Sequence, residues 1–318
     1  MKKTLLLSIL IFLMMCGRPD SPDVPQFSIV SICPLPGYAE DMDVAADYAY
    51  IANDQGGLQI VDISNPDSTF IVGAYLSEKS IVDVAVRDTF AYCAVLHNDG
   101  GVRIINVADP SQPFFVGQDN WYYGYGVAAP ENDTMFVYVA GGYWFVVEDV
   151  RDPIYPTYVR RFSYAGDFRG VCVIDSIAYL ACEQMGVLIY NLASPDTVPV
   201  GQIDTPSNAR NIAVVGNYAY VADGRSGVAI IDVSGIENPR LVTIFDTPEY
   251  ANDVFVIDDY AYVADGEGGL QIIDVGDPQQ PFLYGTMEIS YANAVCVRDD
   301  VIYVADRDMG LVIIKEEN

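Results

Sequence analysis

The sequence predicts an all-β fold, a seven-bladed β-propeller of four-stranded blades whose last blade is closed by the N-terminal strand. Three observations carry this expectation. A tyrosine-centred motif recurs at Tyr50, Tyr92, Tyr138, Tyr179, Tyr220, Tyr262 and Tyr303, at spacings of 42, 46, 41, 41, 42 and 41 residues. Around each tyrosine, short runs rich in Val, Ile and Tyr alternate with Gly, Pro and Asp, the composition of strands and turns. The last copy ends before a fourth strand, while a spare strand-like run, 27–33, precedes the first copy.

The elements follow in chain order. Lys2 and Lys3 precede an uncharged run from Leu5 to Met15 in which only Ser8 is polar. Eleven residues are too few to span a bilayer as a helix, which needs about 20. Residues 1–15 therefore read as a signal peptide. Cys16 follows, then a polar, proline-rich stretch to Pro25. The arrangement resembles a bacterial lipoprotein signal, with Leu13 three residues before the cysteine. Met15 departs from that pattern, which favours a small residue there. The resemblance implies lipidation of Cys16, an exported protein, and attachment to the membrane only through the lipid. Residues 16–26 read as a flexible linker and 27–318 as the propeller.

Each repeat divides into four strands, a to d. In the sixth, strand a is expected near 253–257 and strand b near 260–264. Asp265–Gly269 turns the chain, because glycine tolerates positive φ. Strand c follows at 270–275 and strand d at 282–287. The seventh repeat has a near 294–297, b near 301–305 and c at 311–315. The run 27–33 is expected to supply its missing d and so remove an open sheet edge.

Strand c reads Leu58-Gln59-Ile60-Val61-Asp62 in the first copy and Leu270-Gln271-Ile272-Ile273-Asp274 in the sixth. In these residues, and in their period, the chain resembles the LVIVD repeat family over essentially all of 27–318. Copies two to four depart most: Asn106 and Asn191 replace the aspartate, and the third reads Phe145-Val146-Val147-Glu148-Asp149. The resemblance implies a propeller on a surface protein and little about activity.

Composition excludes some functions. Forty-four acidic residues against 16 Lys and Arg give a net charge of −28, which repels a polyanion, so no nucleic-acid partner is expected. A single histidine, His97, rules out histidine-rich zinc sites and allows at most one Ser-His-Asp triad. Five cysteines beyond Cys16 lack metal or redox spacing and read as small buried thiols.

In a propeller the d-to-a and b-to-c loops share one face, the usual binding face by fold analogy. Both tryptophans fall in the third copy's loops on that face. Trp121, Tyr123, Tyr125, Tyr143 and Trp144 form an aromatic group suited to stacking on a sugar ring or a peptide anchor. Arg169 and Arg210 are rare positive charges nearby, able to hold a ligand carboxylate or to neutralise neighbouring Asp. Asp41, Asp83, Asp223, Asp253, Asp265 and Asp306 bring carboxylates toward the same mouth. They read either as turn acceptors or as a Ca²⁺ site, since hard cations want several oxygens. No other cofactor is expected.

The expected function is a monomeric, non-catalytic binding or scaffold module of the cell envelope, with a glycan or protein as ligand. The alternatives are a glycan-active enzyme using channel-face carboxylates and a calcium-dependent adhesin.

Overall fold

The computed structural model describes residues 25–97, 99–120 and 122–317. The expected signal peptide, the Cys16 lipidation site and Trp121 lie outside the described residues. So does the linker up to residue 24.

Among the described residues every regular element is a β-strand. They form seven antiparallel sheets, one per blade. In blade 6, strands a to d are Asp253–Ile257, Tyr260–Ala264, Leu270–Asp274 and Phe282–Met287, paired in that order. The observed ends match the expected ones to within a residue.

The ring closes as expected. Blade 7 comprises Ala292–Arg298, Val301–Asp306 and Gly310–Glu316, with Phe27–Cys33 as its outermost strand. Phe27 lies opposite Glu316 and Cys33 opposite Leu311. The Glu317 N–H donates to the Gln26 carbonyl at 2.7 Å, so pairing continues past the strand ends.

Blade 3 is different. Its strands b and c are one continuous extended run, Phe136–Asp149, flanked by Gly126–Ala128 and the long Thr157–Phe168. The Val150 N–H nevertheless donates to the Met135 carbonyl at 2.9 Å, so the run doubles back as in the other blades. The fold is at Gly141-Gly142, where Gly142 has a φ of 53°. A Cβ on Gly141 would fall 1.8 Å from the Tyr123 carbonyl, so only glycine lets this turn pass under the neighbouring loop.

The core is divided among the blade junctions, with seven buried clusters around the ring. The marker tyrosines explain their own recurrence. Tyr50 packs on Ile81, Val84 and Cys93 of the next blade, and Tyr220 on Val254 and Ala261. Burying such a side chain contributes about 1.5–3 kcal/mol. The strand-c aspartate has a separate duty. Asp62, Asp232 and Asp274 each accept the N–H two residues on, at 2.9–3.0 Å. Asn106 and Asn191 accept the same bond at 3.1 and 2.9 Å. Asn and Asp both close this turn, so the substitution leaves the blade intact.

Candidate functional site at the channel mouth

Strand a of each blade lines the central channel. Its inner edge has no neighbouring strand, so its N–H groups need other acceptors. Aspartates of the preceding blade supply them. Asp41 accepts from the Val84 N–H at 3.2 Å, Asp43 from Val86 at 2.7 Å, and Asp253 from Val295 at 2.9 Å. The Val127 N–H bonds Asp83 in the same way. Asp253 also accepts from its neighbour Val254 and from the Asn211 amide. These carboxylates strap one blade to the next.

Burial dominates their protonation. It raises Asp41, Asp83 and Asp253 above the ordinary carboxylate range, although backbone N–H groups oppose it. Asp41 and Asp83 also lie within hydrogen-bond contact of each other. Two carboxylates that close cannot both ionise, so the pair holds one proton between them.

A cleft of 190 Å³ opens above these three residues. Its walls include Glu40, Tyr125, Arg169, Arg210, Asn211, Asn252 and Asn293. Below, the channel widens to 540 Å³, lined in part by Asp43, Ala85, Cys172, Ala213, Phe255 and Cys296.

Glu183 organises the positive side of the mouth. The Arg169 Nε donates to its Oε1 at 2.6 Å, and Arg210 Nη1 stands 3.8 Å from the same oxygen. The Arg169 guanidinium also lies 3.9 Å from the Tyr125 ring centroid, and Tyr125 stacks on Tyr123 at 6.4 Å. Glu183 occupies a left-handed turn position, φ 41°. Blades 5 and 6 put Gly224 and Gly266 there, which is the unstrained choice. A non-glycine residue in this region costs on the order of 1–2 kcal/mol. In blade 4 that cost accompanies a carboxylate that holds two arginines. Across the mouth, burial raises the Glu40 carboxyl, Asp54 adds to the rise, and Arg307 and Arg210 oppose it.

The structure brings together Tyr125, Arg169, Arg210, Asp41, Asp83 and Asp253 of the expected residues. The other three aspartates are not part of this group, which corrects the expectation of one carboxylate cluster. Asp223 accepts from Thr205 Oγ1 at 2.7 Å and the Ser207 N–H at 2.9 Å. Asp265 repeats this with Thr247 at 2.6 Å and Glu249 at 2.9 Å. Asp306 holds the N–H groups of Tyr291, Asp308 and Met309 at 2.8–2.9 Å. Each ties its own b-to-c turn to the adjacent loop. Among the described residues no group of three or more His, Cys, Asp and Glu has the arrangement to hold a metal. The throat set also fits Ca²⁺ poorly, because its oxygens already accept blade-to-blade N–H groups.

The aromatic group divides too. Tyr143 is 66% exposed and free to meet a partner. Trp144 instead stacks under Arg161, 4.0 Å away, at the junction with blade 2. Sequence reasoning missed Glu40 and Glu183. For Glu183 a signal existed: an acid stands where copies five and six carry glycine, as Asp54 does in the first copy.

The family model described as the LVIVD repeat matches residues 36–77, 80–120, 206–247, 248–288 and 290–314. These segments span more than half of the chain and leave out every strand of blades 3 and 4. Among solved structures, the crystal structure of a computationally designed protein, Ika8, is similar with a TM-score of 0.66. It is 10% identical, over 89% of this chain and 98% of the designed one, a likeness that shows the fold alone. A search of curated proteins finds no match.

Proposed function

We propose that this chain, which belongs to the LVIVD repeat family, is a non-catalytic module of the cell envelope that holds a glycan or protein at its channel mouth. A propeller of these repeats fits a binding or scaffold role. The finer reading rests on one observation: Glu183, Arg169, Tyr125 and Arg210 form a bonded, stacked group at the rim of the cleft. Arg169 is fixed by stacking and by its ion pair, and Arg210 stands loosely at 3.8 Å. A ligand carboxylate or sugar hydroxyl displaces little in reaching Arg210. Asn252 and Asn293 offer further amides around the rim.

The throat carboxylates favour binding over glycoside hydrolysis. That chemistry needs two carboxyl groups roughly 5–10 Å apart. Asp41 and Asp83 are in hydrogen-bond contact and occupied as blade straps. The envelope address rests on the sequence of residues 1–25 alone. It is tested by whether a palmitate analogue labels the wild-type protein in cells but not Cys16→Ser.

A glycan array tests the binding reading. The wild-type protein should select a discrete set of glycans, or else capture a protein at the same face. Arg169→Ala with Arg210→Ala should abolish either. Retained binding in that double variant would exclude the mouth as the site.

A further inference from the structure

The repeat is broken twice at the junction of blades 2 and 3. Asp119 pairs with Val102 at the end of strand d, where Tyr75, Phe245 and Met287 stand in blades 1, 5 and 6. Glu148, next to the strand-c aspartate, stands where Val61, Ile231 and Ile273 are buried. Both changes put an acid in an apolar position, and both face the same junction. Glu148 is fully buried, and its Oε1 accepts the Tyr122 hydroxyl at 2.7 Å. Its Oε2 accepts from no donor, and the Glu148 carboxyl lies within hydrogen-bond contact of Asp119. Burial and the nearby Asp119 raise Glu148 to about 8, and burial raises the Asp119 carboxyl too, so at neutral pH the two acids hold at least one proton between them.

A cavity of 350 Å³ lies beside them, lined by Asp119, Tyr122, Val146, Tyr158 and Arg161. Its origin is visible in the repeat. Val146 stands where blade 2 has Arg103 and blades 1 and 6 have Gln59 and Gln271, so the side chain that fills this space elsewhere is short here. The Arg161 guanidinium lies over Trp144 at 4.0 Å and near Tyr158 at 5.8 Å. Stacking holds its plane and leaves its N–H edge open.

We propose that this cavity is a second ligand site, which takes a single neutral sugar ring of the pyranose class. The wall sets Arg161 against an acid pair that shares at least one proton, so no strong net charge selects an ion and a neutral ligand is favoured. Arg161 already occupies the cation position over Trp144, which disfavours a quaternary ammonium. Sugar hydroxyls both donate and accept, and so match the open edge of Arg161 and the lone pairs Asp119 keeps beside its bonds to the Asn120 and Tyr158 N–H groups. The apolar face of the ring matches the tyrosines and Val146. The site is distinct from the channel mouth.

The test uses saturation-transfer NMR and calorimetry with glucose, galactose, mannose and N-acetylglucosamine, and with glycine and phenylalanine as zwitterionic probes. At least one monosaccharide should bind. Arg161→Ala, which alters an exposed residue, should weaken it by about tenfold or more. Val146→Gln, which copies blades 1 and 6, should fill the cavity and abolish binding while the melting temperature holds. Binding should also weaken above pH 8. No binding by any of the four sugars, binding unchanged in Arg161→Ala and Val146→Gln, or binding of the amino acids alone would overturn the proposal.

Discussion

The Asp253 carboxylate accepts the Val295 backbone N–H at 2.9 Å, across the junction between blades 6 and 7. Asp41 makes the same bond to Val84 at 3.2 Å. The acids at the heart of the mouth are thus part of the ring's framework. Asp253→Ala leaves the Val295 and Val254 N–H groups and the Asn211 amide without their acceptor. Each buried orphan costs about 1–3 kcal/mol. A loss of at least about 2 kcal/mol in urea unfolding is expected, with little change for Glu267→Ala at an exposed turn position.

Deletion of residues 26–34 removes the outer strand of blade 7 and exposes the Gly310–Glu316 edge. The truncated protein should lose its single cooperative melting transition or aggregate. Melting like that of the full chain would show that closure does not depend on this strand.

Stability should fall as the solution becomes alkaline. The Glu148 carboxyl rises from 4.5 to about 8 on folding. Between those values the folded state holds a proton that the unfolded chain has released. Stability is therefore lost as pH rises through the window, by up to about 1.4 kcal/mol per pH unit for this group. The Asp41–Asp83 pair adds in the same direction. Glu148→Gln has no such proton to hold. Its melting temperature should show a flatter profile from pH 5 to 8, and equal slopes would contradict the buried, protonated Glu148.

Calcium should leave the melting temperature unchanged at millimolar concentration. Asp223, Asp265 and Asp306 spend their oxygens on their own loops, and Asp41, Asp83 and Asp253 on neighbouring blades. A rise with Ca²⁺ and none with Mg²⁺ would restore the adhesin reading.

Much of the fold was legible because the repeat writes the same physics several times. The marker tyrosines fill blade junctions, and the strand-c Asp or Asn closes a turn in each copy. Strand ends in blade 6 followed from Val, Ile and Tyr runs bounded by Gly and Asp. The site was less legible. Asp41 and Asp223 look alike in sequence, yet one faces the channel and the other its own loop. Only the direction of strands a and b separates them. Trp144 and Tyr143 are adjacent, so strand alternation sends them to opposite faces. Glu148 and Asp119 were visible only as acids in columns that are apolar elsewhere, and blade 3 is the least regular copy.

The most direct measurement is ligand binding by Arg169→Ala/Arg210→Ala beside its own melting curve. If the mouth is the binding face, binding falls at least about tenfold while the melting temperature stays within a few degrees of wild type. Unchanged binding with an unchanged melting temperature would place the ligand elsewhere on the propeller.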